Sequence, residues 1–292
     1  TYPGVVGVFW GYGDTGGVRH RDGDKRLCVH VRWKRPTHQV PGGELIDRRV
    51  RGIPTDVIEV GRVRAHTLVF SDDLVGGSGK VRHGSITGIA RDDAAGAIAL
   101  VSGHVTLPVV NGAITRAYAG GGSVGVTANE TGGDTFTGTL LRGRLGGPID
   151  YAIARFPGAS GAAVSTQHAM AGKTPFRARA VALIDGESVR HYSRLPARNK
   201  PIFGRYDQQA ATAVEVTLPD GRDAQYTSLL AVRSTDTLRF SNDGDSGSLV
   251  VDDHMTVVGT VLGASADLSI SYVLPISALI DELGPDADRF FR

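Results

Sequence analysis

This chain has almost no sulfur chemistry to draw on. Its 292 residues include one cysteine, Cys28, and two methionines. A lone cysteine excludes any intrachain disulfide, so burial and hydrogen bonding must hold the fold. Cys28 lies in Leu27-Cys28-Val29-His30-Val31 and reads as a small buried hydrophobe, because it lacks the electropositive surroundings of a catalytic thiol. Long apolar runs are missing too, and nothing approaches the ~20 residues of a membrane-spanning helix. No secretory signal is visible, so the expected setting is reducing and cytoplasmic, without membrane attachment. HExxH strings and paired CxxC motifs are absent, so no metal and no other cofactor is expected.

A strong charge of one sign is lacking as well, since the formal net charge is only +2. It is unevenly spread, however. Residues 1–66 carry twelve Lys/Arg against seven Asp/Glu, with pairs at Lys25-Arg26, Lys34-Arg35 and Arg48-Arg49-Val50-Arg51. No aromatic stacking module accompanies these basic residues, so nucleic-acid binding is not expected. An N-terminal extension of this kind instead suits a regulatory protein partner.

What the chain does have is glycine, 40 residues of it, with 41% apolar residues. Short Val/Ile/Thr-rich runs separated by Gly, Asp and Asn predict many short strands and turns. Strands are expected to resume at Ala178–Ile184 after a small-residue connection that begins near Phe156. Helical spacing appears at Ile276–Leu283, with Gly284 placed to end it. Residues 1–60 read as a small α/β extension with one short helix or turn near Glu44–Arg49. Two glycine-rich strings fail as nucleotide sites. Gly120-Gly121-Gly122-Ser123-Val124-Gly125 is followed by no helical segment, and Gly76-Gly77-Ser78-Gly79-Lys80 lacks both the first glycine and the Ser/Thr of a phosphate loop.

The most informative string is Gly244-Asp245-Ser246-Gly247-Ser248, a glycine-flanked serine between two apolar runs. Residues without a Cβ let the backbone turn sharply and aim N–H groups at a substrate oxygen. A serine nucleophile needs a base, and the base needs an orienting acid. Of nine histidines, most have polar neighbours and read as solvated; His104 follows the apolar run Ala97–Val101, at the exit of a buried strand. Asp150 opens Asp150-Tyr151-Ala152-Ile153-Ala154, where a carboxylate must find hydrogen-bond donors.

With Ser102-Gly103-His104-Val105, these segments resemble the chymotrypsin-like (trypsin-like) serine peptidases, and the chain order His, Asp, Ser is theirs. The resemblance covers roughly residues 61–284 and includes Ser271–Ile276 before the closing helix. The leader resembles that of some bacterial members and of plant relatives of the narrow-leaf type. The resemblance implies two antiparallel Greek-key β-barrels, with the extension at 1–60, a first barrel at 61–165 and a second at 166–292. It implies a serine endopeptidase acting on protein or peptide substrates, with His104, Asp150 and Ser246 catalytic and the N–H groups of Gly244 and Ser246 as oxyanion hole. It places Phe240 at the floor of an apolar primary pocket, with Gly263 and Ile270 beside it. Three departures stand out: Ser248 replaces a glycine, Val105 a common cysteine, and no apolar N-terminus is evident to pair with Asp245. A catalytically silent or latent scaffold that binds other proteins is the alternative, and an esterase of the same fold a lesser one.

Overall fold

The computed structural model describes residues 2–15, 18–19, 23–66, 68–70, 81–91, 96–111, 113–120, 125–129, 135–158, 177–179, 181–192, 201–235 and 239–291. Two antiparallel β assemblies form its body. The first is a six-stranded sheet ordered Ile86–Arg91, Ala97–Val101, Ile149–Phe156, Thr135–Gly146 and Ala117–Tyr118, with Gly125–Asn129 also paired to Thr135–Gly146. The second contains a closed ring of six strands. Ser188–Tyr192 pairs with Pro201–Ala210, followed by Leu230–Ser234, Ile270–Pro275, Val257–Ala264 and Leu249–Asp252, which returns to Ser188–Tyr192. Val257–Ala264 is buried along its whole length. That explains why it reads as a continuous run of small and apolar residues rather than as an alternation.

The first sixty residues continue this second assembly. Val5–Gly11 pairs with the far end of Pro201–Ala210, Arg26–Val31 pairs with Val5–Gly11, and Ile53–Glu59 runs parallel to Arg26–Val31. The helix or turn expected near Glu44 takes the form of two 3-10 turns, Thr37–Gln39 and Gly42–Glu44. Cys28 is fully buried, as its neighbours imply. His30 is buried as well, contrary to the solvated reading. Its ring stacks on Phe9 at 4.2 Å, and its nitrogens meet Tyr272 Oη at 3.0 Å and Gln208 Oε1 at 2.9 Å, which ties the extension to the barrel.

Strands do not resume at Ala178–Ile184. Ala178 makes only an isolated bridge to Val257, and the next strand begins at Ser188. Arg179 supplies the reason. Its guanidinium draws in the carbonyls of Val181 and Ala182 and the carboxylates of Glu187 and Asp252, so the carbonyls face an arginine instead of a neighbouring strand. The helix Ile276–Leu283 forms as expected and ends at Gly284, whose φ of 57° suits glycine. Its apolar face joins Leu100, Tyr151 and Ile153 of the first sheet to Leu249, Val251 and Val257 of the ring. His20, His168, the 76–80 string, the centre of the 120–125 string and the connection at 159–176 lie outside the described residues.

Candidate active site

Strand register brings the histidine and the acid together. Ala97–Val101 and Ile149–Phe156 are antiparallel with Val101 opposite Ala152, and continuing that register sets Asp150 opposite Gly103. Gly103 begins the short helical turn Gly103–Thr106 that carries His104. A Cβ at residue 103 would lie 2.6 Å from Asp150 Oδ1, so the missing side chain is what lets the carboxylate close on the histidine. Oδ1 accepts from the His104 backbone N–H at 2.8 Å, and Oδ2 accepts from Ser102 Oγ at 2.9 Å and from the imidazole Nδ1. This carboxylate is 8% exposed as a whole residue and satisfied by three donors, as burial demands. Arg82 braces the turn from outside by donating to the carbonyls of His104 and Leu107. Burial pushes the Arg82 pKa down, while the charges of Asp220 and Asp150 pull it up.

The serine arrives from the other assembly, in the turn before Leu249–Asp252. Gly244 and Gly247 flank it at φ of 93° and 86°, a region open to glycine at no steric cost. The first sheet grips this turn. Ser85 N donates to Ser246 O at 2.7 Å, Ser85 Oγ to Gly244 O at 3.2 Å and Thr87 Oγ1 to Gly247 O at 2.8 Å. The grip leaves Ser246 Oγ 2.8 Å from His104 Nε2. Asp245 turns inward, and its carboxylate accepts from the Asn242 N–H at 2.9 Å, a donor supplied by the turn itself. Ser248 fits the turn with its residue 2% exposed, but its hydroxyl finds no partner among the described residues. The N–H groups of Gly244 and Ser246 likewise donate to nothing among the described residues.

The structure places the remaining expected site residues elsewhere. Phe240 packs in the ring core with Val189, Ile202 and Tyr206, its ring 4.8 Å from that of His191. Ile270 belongs to the main core, and Gly263 lies beneath the backbone of Arg64 and Ala65. Beside Ser246 lies His66, only 2% exposed, with its backbone carbonyl against the hydroxyl. Its Nε2 is 2.9 Å from Ser241 Oγ and its Nδ1 3.4 Å from Asp243 Oδ1, while Ser241 Oγ donates to Ser271 Oγ at 2.6 Å. Around His66 the side chains of Ser241, Asp243 and Ser271 are polar, and the phenyl ring of Phe240 packs in the core. Sequence reasoning missed His66, Ser102, Ser241 and the gripping pair Ser85 and Thr87. Ser102 and Ser241 lie within a few residues of His104 and Ser246, a weak signal; the others carry none.

No protein-family model matches the chain, and no curated protein does. Among solved structures it is similar to the active form of the Rv3671c protease from M. tuberculosis, at 18% identity over 64% of this chain and 71% of that one, with a TM-score of 0.41. It is similar to Thermobifida fusca Protease A at 14% identity, covering 77% and 97%, with a TM-score of 0.41. Cellulomonas bogoriensis chymotrypsin matches at 14% identity, covering 76% and 95%, with a TM-score of 0.37. These likenesses are distant, and the chemistry is read from the site's own atoms. The closed ring, the second six-stranded sheet, the closing helix and the serine–histidine–aspartate chain at their junction make the architecture chymotrypsin-like.

Proposed function

We propose that the protein is a serine endopeptidase that cleaves peptide bonds through an acyl-enzyme formed on Ser246. One observation carries this reading: a continuous hydrogen-bonded chain from Ser246 Oγ through the His104 ring to Asp150. Asp150 accepts a hydrogen bond from the Nδ1–H, which leaves the Nε2 lone pair facing the serine. Nε2 takes the serine proton as Oγ attacks the carbonyl carbon, then delivers it to the leaving amine. Water repeats the sequence on the ester and frees the acid. Charge developing on the carbonyl oxygen meets the N–H groups of Gly244 and Ser246, donors of a kind worth about 3 kcal/mol each in acyl-transfer enzymes. An extended peptide is the favoured substrate because the edge of Val257–Ala264 nearest the serine accepts a strand, as its pairing with Arg64–Ala65 illustrates. A silent scaffold would have no chemical use for three groups so aligned. The exposed basic residues Lys34, Arg35, Arg48 and Arg49 offer an acidic regulatory partner a surface away from the site.

Prolonged treatment with a fluorophosphonate, followed by peptide mapping, tests this reading. The expected result is one modified residue, Ser246, with modification lost in His104→Ala and absent in Ser246→Ala. Modification that persists at Ser246 in His104→Ala would sink the assignment, because the serine would then be reacting without its base.

A further inference from the structure

The folded site is closed to outside substrates by the protein's own chain. Ser246 and His104 are both 0% exposed. What covers them is the stretch ending in His66. Val60 and Val63 are buried, and Thr217 N donates to Val63 O at 2.9 Å. Arg64 and Ala65 pair antiparallel with Ala264 and Gly263 on one side, and Arg64 pairs with Thr217 on the other. The approach is close enough that a Cβ at Gly263 would lie 1.9 Å from Arg64 O. One residue on, His66 N donates to Leu262 O at 2.9 Å, and its side chain enters the polar space formed by Ser241, Asp243 and Ser271. Ser241 spends its proton on Ser271, so the imidazole Nε2–H donates to Ser241 Oγ.

We propose that Arg64–His66 is a built-in pseudosubstrate that holds this peptidase latent in cis, with His66 as the side chain its primary pocket is shaped to accept. The proposal rests on the peptidase reading above. An extended strand laid along Val257–Ala264, one side chain in a pocket and its carbonyl at the nucleophile, is how a peptide would present itself for cleavage. The carbonyl is nevertheless turned the wrong way for reaction. His66 O is within hydrogen-bond reach of Ser246 Oγ and lies 3.0 Å from His104 Nε2, while the N–H groups of Gly244 and Ser246 stay unengaged among the described residues. His66 O thus competes with the base for the single proton of the Ser246 hydroxyl. The occupant blocks the groove and competes for the nucleophile's proton at once. Polar recognition at the pocket also assigns the substrate class: peptides with histidine, or a similar hydrogen-bonding side chain, on the acyl side of the cut.

The test compares the full chain with His66→Gly, which removes the anchor, and with Gly263→Ala, whose Cβ displaces Arg64. Three readouts apply: the rate of fluorophosphonate labelling at Ser246, the intact mass, and hydrogen exchange at the His66 amide in a Ser246→Ala background. Expected are an uncut wild-type chain that labels slowly, labelling about tenfold faster or more in both variants, and a protected residue-66 amide that is released in His66→Gly. In the His66→Gly variant, short substrates ending in histidine before the cut should be turned over ahead of those ending in phenylalanine. Equal labelling rates in all forms overturn the pseudosubstrate and leave the peptidase standing. A wild-type chain cut after His66 also overturns it, because the segment would then be a substrate. A phenylalanine preference overturns the pocket assignment. No labelling in any form, with the amide protected in the wild type and released in the variant, overturns the peptidase reading and with it the latency.

Discussion

Gly103 shows how much of the chemistry hangs on single side chains, here on the lack of one. A Cβ there would meet Asp150 Oδ1 at 2.6 Å and the carbonyl of Tyr151 at 2.9 Å, both fixed by the strand that carries them. Gly103→Ala is therefore expected to push the carboxylate off the imidazole and lower the labelling rate of Ser246 at least tenfold, as a slight misplacement of a catalytic group does. Circular dichroism should meanwhile report an intact fold. Labelling at the parental rate, measured in the His66→Gly background where the serine is open, would count against that role. His104, Asp150 and Ser246 were legible in the sequence because each breaks the pattern around it: an imidazole ending an apolar run, an acid opening one, a serine between glycines. His66 breaks no pattern. It follows Arg62-Val63-Arg64-Ala65 as one more polar residue in an alternation, and only the pairing of that stretch with residues 262–264 makes it a partner of the serine. The packing of Phe240 was hidden for a related reason, since a position counted back from the serine fixes a place in the chain but not the direction of its ring.

Among the elements, those announced by short apolar runs formed where the sequence puts them. Ala97–Val101, Ile149–Phe156, Leu249–Asp252 and the closing helix bury residues whose neighbours already read as apolar. Elements that depend on distant partners were not legible. The extension reads as separate because its strands are bounded by Pro and Gly, yet Val5–Gly11 pairs with the barrel strand Pro201–Ala210 and the other strands add to it in turn. Ala178–Ile184 reads as a strand because periodicity cannot register an arginine that captures the local carbonyls. The start of Ile86–Arg91 is a similar case, since its hydroxyl residues hold a turn some 160 positions away. Thr87→Val keeps the shape of that side chain but removes the donor to Gly247 O, leaving a buried carbonyl without its partner. Stability should fall by about 1 kcal/mol in a urea titration. In the His66→Gly background Ser246 should also label several-fold more slowly, because the turn that aims its N–H groups has lost a tether. A variant that loses stability with no change in labelling rate would show the tether to be structural only.

At the scale of the whole molecule, the candidate site exists only where the two assemblies meet: His104 and Asp150 come from the side of the six-stranded sheet, Ser246 from that of the closed ring. The contact between Ser246 and His104 crosses that junction, so it depends on a firm interface. The gripping bonds from Ser85 and Thr87 are one part of that interface, and the apolar cluster under the closing helix is the other. Ile276, Leu279 and Leu283 touch a core drawn from both sides, and Glu282 reaches across to Tyr151 Oη at 3.3 Å and to Arg144 at 3.2 Å. Burial, and then the Glu282 charge, raise the Tyr151 pKa, so the phenol stays protonated and donates across the junction. The exposed ion pair adds little by comparison with the buried side chains. Leu279→Ala should accordingly cost about 2–4 kcal/mol. Because its neighbours belong to both halves, the loss should appear as one cooperative transition moved to lower denaturant, with the serine's reactivity disappearing along the same curve. Two separated transitions in that variant, with one half melting while the other holds, would show instead that the helix serves the ring alone and that the hydroxyl bonds around Ser246 carry the junction.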